Sequence, residues 1–379
     1  MGGHAGWHAR RQPGGFSLVE LLVAMTLGLL LISGMVSVFA GNRRSSDLNS
    51  AISNMQESAR FALDALAADV RISGFQGCLP VQSGQTDVLA GPTPRPPPTN
   101  RFMASATTAS VIRANGTWDP APPNGFVAAS HPAVPGTHAL ALQYGDPDTR
   151  RLRAEMRLGG KPSPAGVVQL ETALDGARKD DVAIISNCAQ ADIFRITGVD
   201  NGGLNLQHKA SGNGGSGNLS VAYGDAATIG ETIVTLFRSN VYYVAETGQT
   251  NEDGDAVRAL FRQSLPYGDT VTNPPTEIVT GIENLRVAFG IRQATGNLRY
   301  VSPDSAEYEP ERVQSVRIGL LMASRDRIAA EDDVRTYTLA AQQIPPGGDP
   351  DSGLTHAGDS RYRLAFNTTI KVRNRRFNE

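Results

Sequence analysis

The sequence predicts an α+β protein: one long N-terminal α-helix, membrane-spanning in its first half and amphipathic in its second, packed on a large antiparallel β-rich head. Three observations carry this. From Phe16 to Ala40 the one charged residue is Glu20, and no proline interrupts the run. Beyond it, Leu48, Ile52, Met55, Ala59, Ala62, Leu66 and Val70 recur at steps of three and four, the spacing of one helical face. After Gly74 the pattern changes to short alternating stretches separated by turn residues, as in strands joined by loops.

The apolar run is long enough to cross a bilayer. Its residues would extend about 37 Å as a helix, against a hydrocarbon core of about 30 Å. Gly28 and Gly34 are its weak points, each costing about 1 kcal/mol relative to alanine. In the second half, Asp47, Asn49, Glu57, Arg60, Asp64 and Asp69 lie mostly off the apolar face. The helix is therefore expected over residues 16–73, with Gly74 as its stop. The implied division is a short leader over 1–15, a transmembrane half over 16–40, an amphipathic half over 41–73 and a head over 74–379.

Glu20 is the anomaly. A carboxylate in lipid costs roughly 2.5–3.5 kcal/mol and calls for a cation. No Lys, Arg or His lies within the run. Arg10 and Arg11 precede it and Arg43 and Arg44 follow, so loop charge leaves the orientation open. A cut after Gly15 would create an α-amine on Phe16 one helical turn from Glu20. That amine could pair with the same chain's carboxylate or a neighbour's, and an acid at a helix start also suits the macrodipole. Rival readings are a partnerless carboxylate at the interface, signal-peptidase cleavage after Val38-Phe39-Ala40, twin-arginine export through Arg10-Arg11, and an unprocessed anchor. The run exceeds the 7–15 residue core of a signal peptide. One arginine pair is a weak export signal, and a plain anchor leaves the Gly-Phe-x-x-x-Glu order unexplained.

Removing the helix leaves roughly 300 residues, ample for a substantial core. Forty glycines and 23 prolines imply many turns, and at 6% aromatics the core must rest on aliphatic residues. A net charge of −2 makes no case for nucleic-acid or membrane-surface binding. Strands are expected at His138–Tyr144, Arg151–Leu158, Val182–Asn187, Ile193–Val199, Leu204–Gln207, Thr232–Phe237, Asn240–Ala245, Ala259–Gln263, Leu285–Ile291, Val313–Ala323, Thr336–Leu339 and Arg363–Val372. Loops are expected at Gly91–Pro98, Gly212–Asn218 and Pro345–Gly358. The two cysteines, Cys78 and Cys188, would oxidise in an exported body, closing a loop of about a hundred residues. Two buried free thiols are the alternative, and lone cysteines without CxxC spacing do not build a metal shell.

No catalytic signature is present. The six histidines are scattered, without HExxH, and there is neither a GxSxG elbow nor a P-loop. Residues 212–217 match GxGxxG but lack a following helical period, so a flexible hairpin loop is expected rather than a dinucleotide site. Asn251 to Asp255 has the acidic spacing of a calcium loop without its closing glutamate, and reads as a hairpin turn with solvated acids. Lys371, Arg373, Arg375 and Arg376 read as a last strand with one charged face rather than as a phosphate contact.

Gly15, Phe16, the sequence Ser17-Leu18-Val19-Glu20 and the long apolar helix together resemble the N-terminus of type IV prepilins. The resemblance implies cleavage after Gly15 by a prepilin peptidase, N-methylation of Phe16, and Glu20 as the intersubunit charge. Major pilins usually carry a proline later in this helix. Its absence here points away from the bulk filament subunit. Phe75-Gln76-Gly77-Cys78, Asn187-Cys188 and the stretch from Tyr362 to Arg375 are similar to the PilW family of minor pilins. Val313 to Leu320 is similar both to that family and to J-type pseudopilins of type II secretion. The resemblance implies a non-enzymatic minor pilin without cofactor, acting in initiation or assembly of the pilus at a tip or priming position. Implied partners are other minor pilins, the major pilin, the prepilin peptidase, the inner-membrane assembly platform and the lipid bilayer. The implied location is the inner membrane with a periplasmic head, then the pilus. A J-type pseudopilin is the alternative of the same architecture. A membrane-anchored exported binding protein or hydrolase is the alternative of another class.

Overall fold

The structure is a computed structural model that describes residues 17–79, 86–91, 106–122, 126, 130–213, 215, 217–264, 273–293, 295–347 and 355–374. By its internal contacts the chain forms two units, Met1–Ser50 and Ala51–Glu379. One helix, Leu18–Ile72, runs through both.

In the first unit the helix is long and apolar enough to cross a bilayer, and its most apolar stretch is wholly exposed. Its hydroxyls bond their own backbone: Thr26 donates to Val23 O at 2.9 Å and Ser37 to Ser33 O at 3.0 Å. Such local bonds satisfy these two hydroxyls without a partner from outside the helix.

In the second unit the expected helical face is buried. Met55, Ala59, Ala62, Leu66 and Val70 join one core with side chains of two sheets. The larger sheet has ten strands, ordered Thr86–Val88, Ala191–Arg195, Val182–Ser186, Ile233–Thr250, His138–Gly145, Thr107–Ile112 and Trp118–Asp119, with three strands off this path. The smaller runs Leu298–Val301, Ile282–Arg292, Val313–Arg327 and Arg361–Lys371, antiparallel throughout. Leu140, Leu142, Tyr242 and Val244 of the first meet Leu285, Val287, Phe289, Ile318 and Leu320 of the second in that core. Along His138–Gly145 and Ile282–Arg292 every second residue faces it, as the two-residue period requires.

Several expected elements change. Thr232–Phe237 and Asn240–Ala245 are one 18-residue strand, Ile233–Thr250. It pairs with Val182–Ser186 through residues 233–236, then with His138–Gly145 through 237–242. The polar Arg238-Ser239 interruption thus marks a change of partner rather than a turn. The alternating stretch Arg151–Leu158 is not one strand, since Arg150–Arg151 and Arg157–Leu158 are separate two-residue strands. Arg153 N donates to Gln169 O, whereas Met156 N donates to Tyr223 O, so the chain bends between two partners. Leu152 and Met156 are still buried, in a second core, but Leu158 is exposed. Ile193–Val199 divides into Ala191–Arg195 and Gly198–Asp200. Among the described strands, Thr86–Val88 departs from the antiparallel rule by running parallel to Ala191–Arg195.

Of the expected loops, all of Gly91–Pro98 except Gly91 lies outside the described residues, as do 214, 216 and 348–354. The rest of Gly212–Asn218 is tied down rather than free. Asn213 is buried, accepting Arg195 N at 2.7 Å and donating to Arg195 O at 3.0 Å. Gly217 adopts φ 62°, and a Cβ there would lie 2.6 Å from Ala210 N, so the glycine is sterically required.

A buried ion network closes one end of the smaller sheet. Arg363, fully buried, donates Nε to Glu283 Oε2 at 2.6 Å and Nη2 to Asp359 Oδ1 at 2.5 Å. Arg361 reaches the same two carboxylates at 2.9 and 2.8 Å. Asp333 accepts Arg335 Nε and the Tyr337 hydroxyl, each at 2.8 Å. Burial raises the Glu283 carboxyl, but Arg363 outweighs it by hydrogen bond and charge and holds it below its ordinary value. Burial likewise raises Asp333, and Arg335 and Tyr337 bring it down to about 2. Asp359 is lowered too, with burial opposed by Arg363 and Arg361.

These folded values lie below the unfolded ones. The network therefore stabilises above about pH 4 and loses its contribution as pH falls toward the folded values. In urea titrations of the full chain in detergent, the head's midpoint should fall between about pH 5 and pH 2. Arg363→Met strands buried carboxylates and should cost about 3–5 kcal/mol at neutral pH. A midpoint unchanged in this variant would remove the network from the fold's stability.

Candidate functional site

The candidate site is the start of the helix and the anchor at its far end. Gly15 and Phe16 lie outside the described residues. Ser17 and Glu20 are described, and each bonds the other. Glu20 N donates to Ser17 Oγ at 3.1 Å, and Ser17 N donates to Glu20 Oε2 at 3.3 Å. This is a capping box, in which two orphan amides of the first turn are satisfied reciprocally. The Ser-x-x-Glu spacing was visible in the sequence, but the sequence reading assigned Glu20 only to an amine and to the helix dipole. The carboxylate stays exposed, with acceptor capacity left beyond the single amide.

The other end of the helix is held by groups from distant parts of the head. Asp69 accepts Asn240 Nδ2 at 2.7 Å and the Tyr242 hydroxyl at 2.8 Å. Asn240 also donates to the Tyr144 hydroxyl at 2.8 Å. Burial, reinforced by the Asp69 charge, pushes both phenols up, so they remain protonated. Gly74 takes φ 75° and ends the helix, as expected for a left-handed cap. Its N–H donates to Gln143 O at 2.8 Å, while Asn374 Nδ2 donates to the carbonyls of Ile72 at 3.0 Å and Ser73 at 3.3 Å. Sequence reasoning missed Asp69, Asn240 and Asn374 as a set, because no local pattern links residues so far apart.

Cys78 and Cys188 form a disulfide, with Cα atoms 5.0 Å apart and a sequence separation of 110. Cys188 sits at the tip of the hairpin formed by Val182–Ser186 and Ala191–Arg195. Asn187 Oδ1 shapes that tip by accepting the amides of Ala189 and Gln190. Gly77, at φ 91°, lets Cys78 approach, since a Cβ there would lie 2.8 Å from Ile233 Cδ1.

The remaining sequence motifs do other work. Among the described residues, no group of three or more His, Cys, Asp or Glu side chains is placed to hold a metal. The acids of Asn251–Asp255 serve a turn. Asn251 Oδ1 accepts the amides of Asp253 and Asp255, and Asp255 pairs with Arg327 at 3.0 Å. His138 is buried between the sheets, accepting Arg286 Nη1 on Nε2 at 3.0 Å, with Nδ1 at 3.2 Å from the Val287 carbonyl. Burial first, then the Arg286 charge, lowers it to about 3, so it stays neutral.

The helix with its methylation-type N-terminus and the β-rich head define a type IV pilin-like protein. Residues 10–36 match the prokaryotic N-terminal methylation motif. Residues 241–374 match the family model of Type IV Pilus-assembly protein W, so the head carries a PilW domain. That domain includes the whole Arg361–Lys371 strand, Asn374 and every named member of the ion network. A solved type IV-like pilin from Thermus thermophilus is similar at 18% identity and a TM-score of 0.20, covering 36% of this chain and 78% of that one. No curated protein matches the sequence. The family matched over these residues is one of structural pilus-assembly proteins rather than of enzymes. The motif coincides with a helix long and apolar enough to cross a membrane, the arrangement of a membrane-anchored pilin.

Removing the disulfide frees a loop of about a hundred residues in the unfolded chain. Cys188→Ser should cost about 4–5 kcal/mol in the chain-entropy account. Urea midpoints of oxidised wild type, reduced wild type and Cys188→Ser measure this. Equal midpoints for all three would show that the bridge adds nothing.

Proposed function

We propose that the chain is a minor type IV pilin, cut between Gly15 and Phe16 by prepilin peptidase and methylated at Phe16. The observation that carries the reading is the carboxylate of Glu20. It is pinned by Ser17 at the first turn of the helix, in a run otherwise uncharged as far as Ala40 and within the matched methylation motif. Cleavage places a new α-amine beside it, the cation that a carboxylate at membrane depth requires. The capping box fixes Glu20 at the helix end and leaves its remaining lone pairs for the Phe16 amine of a neighbouring subunit. The two roles are compatible, because a carboxylate accepts several hydrogen bonds.

In this reading the helix sits in the inner membrane and the head in the periplasm until the subunit enters a filament. Other minor pilins and the major pilin are its neighbours, and the inner-membrane platform adds it to the pilus. A head of this size, carried on a helix without proline, suits a tip or priming position where it need not repeat along the fibre.

Mass spectrometry of the mature protein tests the processing step. A chain beginning at methylated Phe16 is expected, and one beginning at Met1 or Gly41 would falsify the reading. Glu20→Ala should abolish incorporation into pili while leaving membrane insertion unchanged. Normal piliation by that variant removes the proposed intersubunit role.

A further inference from the structure

The last described strand, Arg361–Lys371, forms one edge of the four-stranded sheet and pairs only with Val313–Arg327. It is 11 residues long, against four for Leu298–Val301 at the opposite edge. Val372 N donates to Gln314 O, and the register continues through Ile370 with Val316 and Thr368 with Ile318. In an antiparallel pair such residues exchange bonds, and the residues between them turn their backbone groups the other way. Ala365, Asn367, Thr369 and Lys371 therefore direct their amides and carbonyls outward. Among the described residues none of these groups has a hydrogen-bond partner. Earlier in the strand the edge is occupied, because the Tyr337 hydroxyl donates to Arg363 O at 3.3 Å.

An open edge of this length is normally blunted by charge, proline or a bulge. Ala365 to Thr369 has none of these. Tyr362, Leu364 and Phe366 line the core side of the same edge and are only half-buried. An added strand would cover them with its own alternate side chains. Lys371 is exposed, and Arg373 follows it without an intervening acid. The charge at this end selects an acidic stretch.

We propose that this edge receives an extended strand from a neighbouring pilin subunit. Its side chains are apolar at alternate positions beside Leu364 and Phe366, and acidic where it passes Lys371 and Arg373. The proposal rests on the pilin reading above and adds a contact made by the head rather than the helix.

The test places a photo-crosslinking amino acid at Thr369 of the full-length chain in piliated cells, with the same probe at Leu22 in the helix as reference. The expected Thr369 adduct maps by tandem mass spectrometry to alternate residues of an extended segment in another pilin. Lys371→Glu should reduce that adduct at least tenfold, while Lys371→Arg retains it and both variants keep wild-type protease resistance. If Leu22 captures a neighbouring pilin but Thr369 captures lipid, its own chain or nothing, the edge proposal is wrong and the pilin reading stands. An adduct insensitive to Lys371→Glu also overturns the acidic partner. If Leu22 captures no pilin, the pilin reading fails and the edge proposal fails with it.

Discussion

The burial of one helical face in the head is the interaction on which the rest depends. Ala59 and Ala62 have no exposed surface, and with Met55, Leu66 and Val70 they share a single core with two sheets. Alanine at these positions allows close approach, and the larger Leu66 and Met55 fill the space around it, the interdigitation a dense core requires. Removing this face would take the helical side chains out of the core that both sheets share. The sheets would then lose the surface that orders them. Asp69, on the same helix, adds direction to this apolar contact through bonds to Asn240 and Tyr242.

The two ends of the helix satisfy their backbone groups by different means. At the start, the solution is local: Ser17 and Glu20 are three residues apart and bond each other. At the finish, it is global, because Gly74 and Asn374 bring in Gln143 and the last described strand. This difference follows from what surrounds each end. An end that must function within a membrane or a helical bundle carries its own cap, whereas an end embedded in a folded head can borrow one.

That contrast also explains what was legible in the sequence. Local periodicity gave the helix, its buried face and its stop at Gly74, because those depend on spacing alone. It gave most long strands of the smaller sheet for the same reason. Thr107–Ile112 was invisible, since Thr-Thr-Ala-Ser carries little apolar signal. It becomes a buried strand because it pairs with His138–Gly145. Arg151–Leu158 misled in the opposite way. Its alternation is real in burial at Leu152 and Met156, but the backbone finds two partners and bends. Of the candidate site, Glu20 stood out by its charge. The hydrogen bonds that hold the helix end did not, because they join residues far apart along the chain.

Asn374 carries one more consequence. It lies 302 residues beyond Ile72, whose carbonyl it seals. Synthesis proceeds from the N-terminus, so the helix emerges long before the residue that closes it. Until Asn374 has been made, the helix end and the final sheet edge remain incomplete. Loops this long are also slow to close. The head therefore has a built-in completion signal: a chain truncated before Asn374 lacks its finished join between helix and head and leaves the helix terminus open.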